Sequence, residues 1–281
     1  MNHLVILYDL HEAPPFLISN PHIKTGYRGY LPKSLCVKSL FILHNETINI
    51  WSHLLVGFYF FFQYFYDLDL LNGGDSNSFY DQTAFIGMIV TIQLCMFCST
   101  AFHLFNCHSQ EMCSRLLLLD FVGICLGLSG CFFPVTHYAF YCYPQTRNNY
   151  IVFFLFGFLL AGYLITRPWF RDNNCAYLRI LTYSLLSLMG AAPAAHWTYL
   201  HGIHSEIVSI FLPKVILLYF LGGVGLFFYV TRLPESLFPG RFDIFGHSHQ
   251  IWHIFAALVF IVGHKTQQSL FLYVTSHQCL V

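Results

Sequence analysis

Hydrophobic and polar positions in this chain alternate on a long wavelength, with apolar runs of roughly twenty residues separated by short polar links. Seven runs stand out, near 48–66, 83–105, 116–140, 150–166, 179–200, 211–231 and 247–266. Each can cross about 30 Å of hydrocarbon, which takes about 17–25 helical residues. Lipid admits only helices or closed barrels, and uninterrupted runs such as Tyr150 to Ile165 lack the alternation of barrel strands. The pattern predicts an all-α integral membrane fold of seven transmembrane helices. It divides the chain into a polar segment, 1–47, a membrane domain, 48–266, and a tail, 267–281. Within the first segment, Leu31 to Leu43 mixes basic and apolar residues at near-helical spacing, and Pro32 suits a first helical turn. A short helix lying on the bilayer ahead of the first span is expected there.

Charge sets the orientation. Ten Lys and Arg fall on the side of the N-terminus, against three (Arg147, Lys214 and Lys265) on the other. The first loop on that other side, 67–82, carries four aspartates and no cation. The positive-inside rule then places the N-terminus in the cytoplasm and the tail in a lumenal or extracellular space. The start of the chain has only a short apolar run with no basic stretch before it, so no cleavable signal is expected. On this topology the sequon Asn45-Glu46-Thr47 is cytoplasmic and unmodified. Cys36, Cys107, Cys113 and Cys175 face a reducing compartment, whereas Cys142 and Cys279 share the oxidising face and are candidates to pair. Composition agrees with a membrane solvent: 13 basic and 13 acidic residues make only 9% charged side chains, against 56% hydrophobic ones. With zero net charge there is no basic face to displace phosphate counterions, which excludes nucleic acid as a main partner.

Polar groups inside the spans are the candidate chemistry, because each is costly there unless partnered. Ser99 and His103 lie at i and i+4 near the end of the second span, Asp120 lies early in the third, and His249 and His253 lie at i and i+4 early in the seventh. With the N-terminus inside, all fall within about two helical turns of the cytoplasmic face. Three imidazoles make a three-nitrogen face with an open fourth position, a donor set that suits Zn²⁺. His103, His249 and His253 are the expected ligands, with Asp120 beside the metal and Ser99 hydrogen-bonded to it or to a water. The alternative for the same imidazoles is mutual hydrogen bonding between helices without an ion. That simpler reading is taken for His137 and His196. Cys95-Met-Phe-Cys98 resembles half a zinc clip but has no second half, so close helix packing is expected. His44, His53 and His108 read as interfacial.

Four blocks in order carry a family resemblance: Ser39-Leu-Phe-Ile-Leu-His-Asn-Glu-Thr-Ile-Asn-Ile-Trp-Ser-His-Leu-Leu, Ser99-x-x-x-His103 with Cys107-His108-Ser109, Leu119-Asp120-Phe-Val-Gly-Ile, and Pro234 through His253. On these the chain resembles the progestin and adipoQ receptor family. The resemblance implies a seven-helix fold with an inward N-terminus, zinc on three histidines that map to His103, His249 and His253, and a water ordered by Asp120. At its most similar it also implies a Golgi membrane protein that captures Raf kinase through its cytoplasmic segment; the plasma membrane and endoplasmic reticulum are the other locations weighed. A second implied function is a zinc-dependent lipid amidase, such as a ceramidase, with Asp120 as general base and Ser99 beside it. A third is a hormone receptor, with a lipid or fatty-acid ligand in the helical bundle. Related proteins carry longer N-terminal tails, so their adaptor contacts are not expected here.

Overall fold

A computed structural model of the chain describes residues 5–72 and 79–277. Among the described residues it holds nine α-helices: α1 (Lys33–Lys38), α2 (Thr47–Asn72), α3 (Phe79–Phe105), α4 (Gln110–Ala139), α5 (Pro144–Thr166), α6 (Ala176–Leu188), α7 (Ala191–His201), α8 (Glu206–Thr231) and α9 (Ser248–Ser276). Each expected span falls on a helix or, for 179–200, on the pair α6 and α7, which breaks at Met189 and Gly190. α5 starts with Pro144 at its first position, where a missing N–H costs nothing. α7 ends at Gly202, whose φ of +80° suits a glycine helix stop. Among the described residues, five helical stretches are long and apolar enough to cross a membrane: 82–105 of α3, α4, α5, α6 with α7, and α8. α2 and α9 carry the polar side chains described below, which dilute their hydropathy.

The helices distribute over two compact units. The first unit comprises the described residues up to Phe58, with Cys95–Gly123 and Leu221–Leu258. Here strands β1 (Leu7–Tyr8) and β2 (Tyr27–Arg28) pair antiparallel, Leu7 opposite Arg28 and Tyr8 opposite Tyr27. The N-terminal segment is tied down by polar contacts: the Lys24 amide and the Thr25 hydroxyl donate to Asp243 at 3.0 and 2.9 Å, and the Asn45 amide donates to the Gly26 carbonyl at 3.1 Å. Gly26 has φ +83°, a backbone conformation that favours glycine, and a Cβ there would also stand 2.6 Å from Ile244 Cδ1, which would have to shift. The expected helix after Pro32 is α1, with Leu35 and Cys36 buried and Lys33 and Lys38 exposed. Cys95 and Cys98 pack against Gly123, where a Cβ would come within 3.1 Å of the Cys95 backbone. This is the close helix contact expected of that pair.

The second unit comprises Tyr59–Leu94, Ile124–Phe220 and the described residues from Val259 onward. Its core gathers Leu71, Phe85, Tyr138, Phe140, Trp197, Val208, Phe211, Leu270 and Phe271. His196 receives the Tyr150 hydroxyl at 3.0 Å, the inter-helix hydrogen bond expected of it. α9 continues as helix through Ser276, past the expected boundary at 266. The reason is a buried polar set: His264 pairs with Asp67 at 2.6 Å and Gln268 donates to the other Asp67 oxygen, while at the surface Lys265 reaches Gln63. Large apolar side chains point outward along the helices, among them Phe62, Phe156 and Leu159 at 64–70% exposure. So wide an apolar surface suits a hydrocarbon solvent. Cys142 is disulfide-bonded, and its expected partner Cys279 lies outside the described residues.

Candidate metal centre

The first unit gathers the polar residues of three helices around one point. α3 ends at Phe105, and its last carbonyls have no partner within the helix. A buried arginine meets them: Arg28 donates to the His103 carbonyl at 2.5 Å, to the Leu104 carbonyl at 3.1 Å and to the Ser39 hydroxyl at 2.8 Å. A cation at a helix C-terminus is favoured by the helix dipole as well. The last turn of α3, which carries His103, is therefore held rigidly. At the start of α9, Glu235 accepts from the Ser248 amide at 2.8 Å and from the Ser248 hydroxyl, and Asn20 donates to it at 3.0 Å. A carboxylate on a helix N-terminus satisfies orphan N–H groups and complements the dipole. His249 and His253 follow one turn apart.

These supports bring the three expected ligand histidines together. His249 Nε2 lies 3.4 Å from His103 Nε2 and 3.2 Å from His253 Nε2. One ligand atom from each ring can be chosen with all three within 4.8 Å of one another. Tetrahedral zinc with Zn–N of about 2.0–2.1 Å puts neighbouring ligand nitrogens about 3.3–3.4 Å apart, so the two separations at His249 match such an ion. The donors fit too. Glu46 lies 2.7 Å from His103 Nδ1, and because a carboxylate only accepts, Nδ1 carries the hydrogen and Nε2 offers its lone pair to the centre.

Glu46 is the functional residue that sequence reasoning missed. It receives Asn49 at 2.5 Å and Asn106 at 3.1 Å as well as His103, and Asn106 in turn lies 3.4 Å from Arg28. Burial alone would raise its carboxyl, but His103, Asn49 and the Arg28 charge outweigh burial and hold it well below the usual carboxylate range. Its only sequence signal is a carboxylate directly ahead of a span, and the overlapping sequon drew attention to glycosylation instead. Asn45 itself is buried, with its carbonyl accepting from His247 at 3.0 Å, so packing closes that sequon.

The other expected residues take distinct places. Ser99 is buried one turn before His103, and its side chain hydrogen-bonds to Asp120. The carboxylate seated on a ligand ring is thus Glu46, while Asp120 pairs with Ser99. His53, expected at the interface, is buried and stacks on His253 at 3.9 Å between ring centres, 20° from parallel. His44 is buried too, and its Nε2 faces the Ser39 carbonyl at 3.2 Å. Burial, with the Arg28 charge, pushes His44 down to about 3, so it stays neutral.

With this geometry in hand, comparison with known proteins is direct. Residues 41–263 match the haemolysin-III-related family. The human progestin and adipoQ receptor family member 3 is 38% identical over 275 residues, which cover 97% of this chain and 88% of that protein. The adiponectin receptor protein of Drosophila melanogaster is 34% identical over 277 residues, 96% of this chain and 61% of the relative. The heptahelical transmembrane protein 1 of Arabidopsis thaliana is 31% identical over 258 residues, 88% and 76% of the two chains. The chain belongs to the progestin and adipoQ receptor family, a class of multi-pass helical membrane proteins, and its buried histidine triad is a site able to hold a metal ion.

Proposed function

We propose that this protein is a receptor-like signalling protein of seven spans, with a cytoplasmic N-terminus and a zinc ion on His103, His249 and His253. The observation that carries the zinc reading is the meeting of three imidazole nitrogens, one of them fixed by Glu46, at spacings a tetrahedral ion fits. Helices α2 and α9 complete the seven spans, as the heptahelical relatives support. In this reading zinc is structural and ties α3 to α9. The N-terminal segment, fastened to Asp243 and to the end of α3, then presents a surface to a cytoplasmic partner. On the family resemblance that partner is Raf kinase and the membrane is that of the Golgi. Co-expression of tagged Raf kinase with the full chain tests this by imaging. Recruitment to the Golgi is expected, and deletion of residues 1–38 is expected to abolish it; Raf kinase left diffuse by the full chain refutes the assignment.

A second reading is favoured by one observation: Asp120 is paired with Ser99, which is buried one helical turn before a ligand histidine. Bound zinc supplies Lewis acidity and lowers the pKa of water, the requirements of amide hydrolysis. Asp120 then serves as proton acceptor, Ser99 orients its carboxylate, and a lipid amide such as ceramide suits the membrane depth. Asp120→Asn keeps the shape and removes the base, so ceramide turnover is expected to fall about 10²–10⁴-fold with zinc retained. Turnover equal to that of the wild type, or absent in both, removes the enzymatic reading.

A further inference from the structure

Two thiols in the first unit are used by neither reading above. Cys36 lies on α1, and Cys107 follows the end of α3. The Leu31 amide donates to the Cys107 carbonyl at 3.2 Å, so the two segments already meet through their backbones. The two sulfurs lie 3.7 Å apart, and both are buried with Leu31 and Leu35 around them. A buried cysteine is ordinarily an inert apolar filler.

The facing pair differs in two respects. Cys107 lines a polar cavity of about 10 Å³ with Arg28, Glu46 and Asn106, room for about one water-sized molecule. The Cys107 thiol is also held low, at about 7, chiefly by the hydrogen bond from Cys36; burial opposes this and the Arg28 charge assists it. The same bond, together with burial, drives Cys36 upward. Cys107, which lines the polar cavity, is therefore the sulfur placed to meet a small oxidant, and Cys36, 3.7 Å away, is placed to resolve it.

We propose that Cys36 and Cys107 form an oxidation-sensitive dithiol that small hydroperoxides close to a disulfide, stapling α1 to the end of α3. The Cys107 thiolate attacks one oxygen of hydrogen peroxide, the O–O bond breaks, and the other oxygen leaves as hydroxide and is protonated to water. Cys107 is then a sulfenic acid. The Cys36 sulfur displaces its hydroxyl group, the S–S bond forms, and that hydroxyl departs with the Cys36 proton as a second water. In sum, two thiols lose two electrons and one peroxide is reduced to two waters. The segment stapled is the one that carries Arg28 and Glu46, the supports of His103. The chemistry itself depends on neither zinc nor membrane orientation, so its test stands apart from those of the proposed function.

Full-length protein purified in detergent is treated with hydrogen peroxide, blocked with N-ethylmaleimide, digested without reduction and analysed by mass spectrometry. The peptides carrying Cys36 and Cys107 are expected to leave the alkylated pool together and appear as one cross-linked species that dithiothreitol reverses. In Cys36→Ser, Cys107 is expected to stop at the sulfenic acid and be trapped by dimedone. The wild-type arm does not depend on the variant folding. Full alkylation of both residues after peroxide overturns the proposal, as does passage of wild-type Cys107 to the sulfinic acid without a cross-link.

Discussion

Replacing His253 by alanine is expected to strip the protein of its metal: elemental analysis of the purified chain should fall from one zinc per molecule to background. The ring removed supplies one of three nitrogens, and its neighbour lies 3.2 Å away, so two histidines are left to hold an ion that prefers four ligands. Because metal bound to the native state adds to its stability by mass action, a chelator should lower the melting temperature of the wild type and leave that of His253→Ala unchanged. His53 stacks on His253, so the substitution also removes packing, and the chelator comparison within each protein separates the two effects. Glu46→Gln gives the graded counterpart. The amide oxygen can still accept from His103 Nδ1 but without charge, and loss of such an outer partner typically costs about 10–100-fold in metal affinity. Stoichiometric zinc in folded His253→Ala would remove the triad as the site.

The positions of helices were legible because bilayer thickness imposes one strong period, and the triad because imidazole inside a span is rare enough to stand out. What escaped has a common cause. His44 and Glu46 lie just ahead of α2 and His53 in its second turn, near the membrane boundary, where sequence alone sets little cost on a polar residue and so gives little signal of what it touches. Arg28 is the sharpest case. It counted as one of the ten cations that fix orientation, yet it is 2% exposed and holds the carbonyls at the end of α3. Two of its four partners are backbone carbonyls, which no residue pattern announces. The end of α9 failed for the reverse reason: Gln267 and Gln268 read as the start of a polar tail, but both are buried. Hydropathy windows register composition, whereas burial of a polar side chain depends on which partner the fold brings to it.

That buried set supplies the second large effect. Asp67 and His264 are each at most 2% exposed at the side chain, 2.6 Å apart, and the edge-on ring of Phe60 packs against His264. Asp67→Ala removes the acceptor of both His264 and Gln268, and stranding one member of a buried pair typically costs about 3–5 kcal/mol. Thermal unfolding in detergent should therefore show a large loss for Asp67→Ala. Asp67→Asn, which keeps one acceptor oxygen, should lose less. A hydrophobic double replacement, Asp67→Leu with His264→Leu, should recover much of the loss, because no polar group is then left without a partner. All of these partners belong to the second unit and the three metal ligands to the first, so zinc content should stay at the wild-type value throughout. If the double replacement proves as unstable as Asp67→Ala, the cost lies in lost packing rather than in a stranded polar group, and the pair is not what holds α9 as helix beyond residue 266.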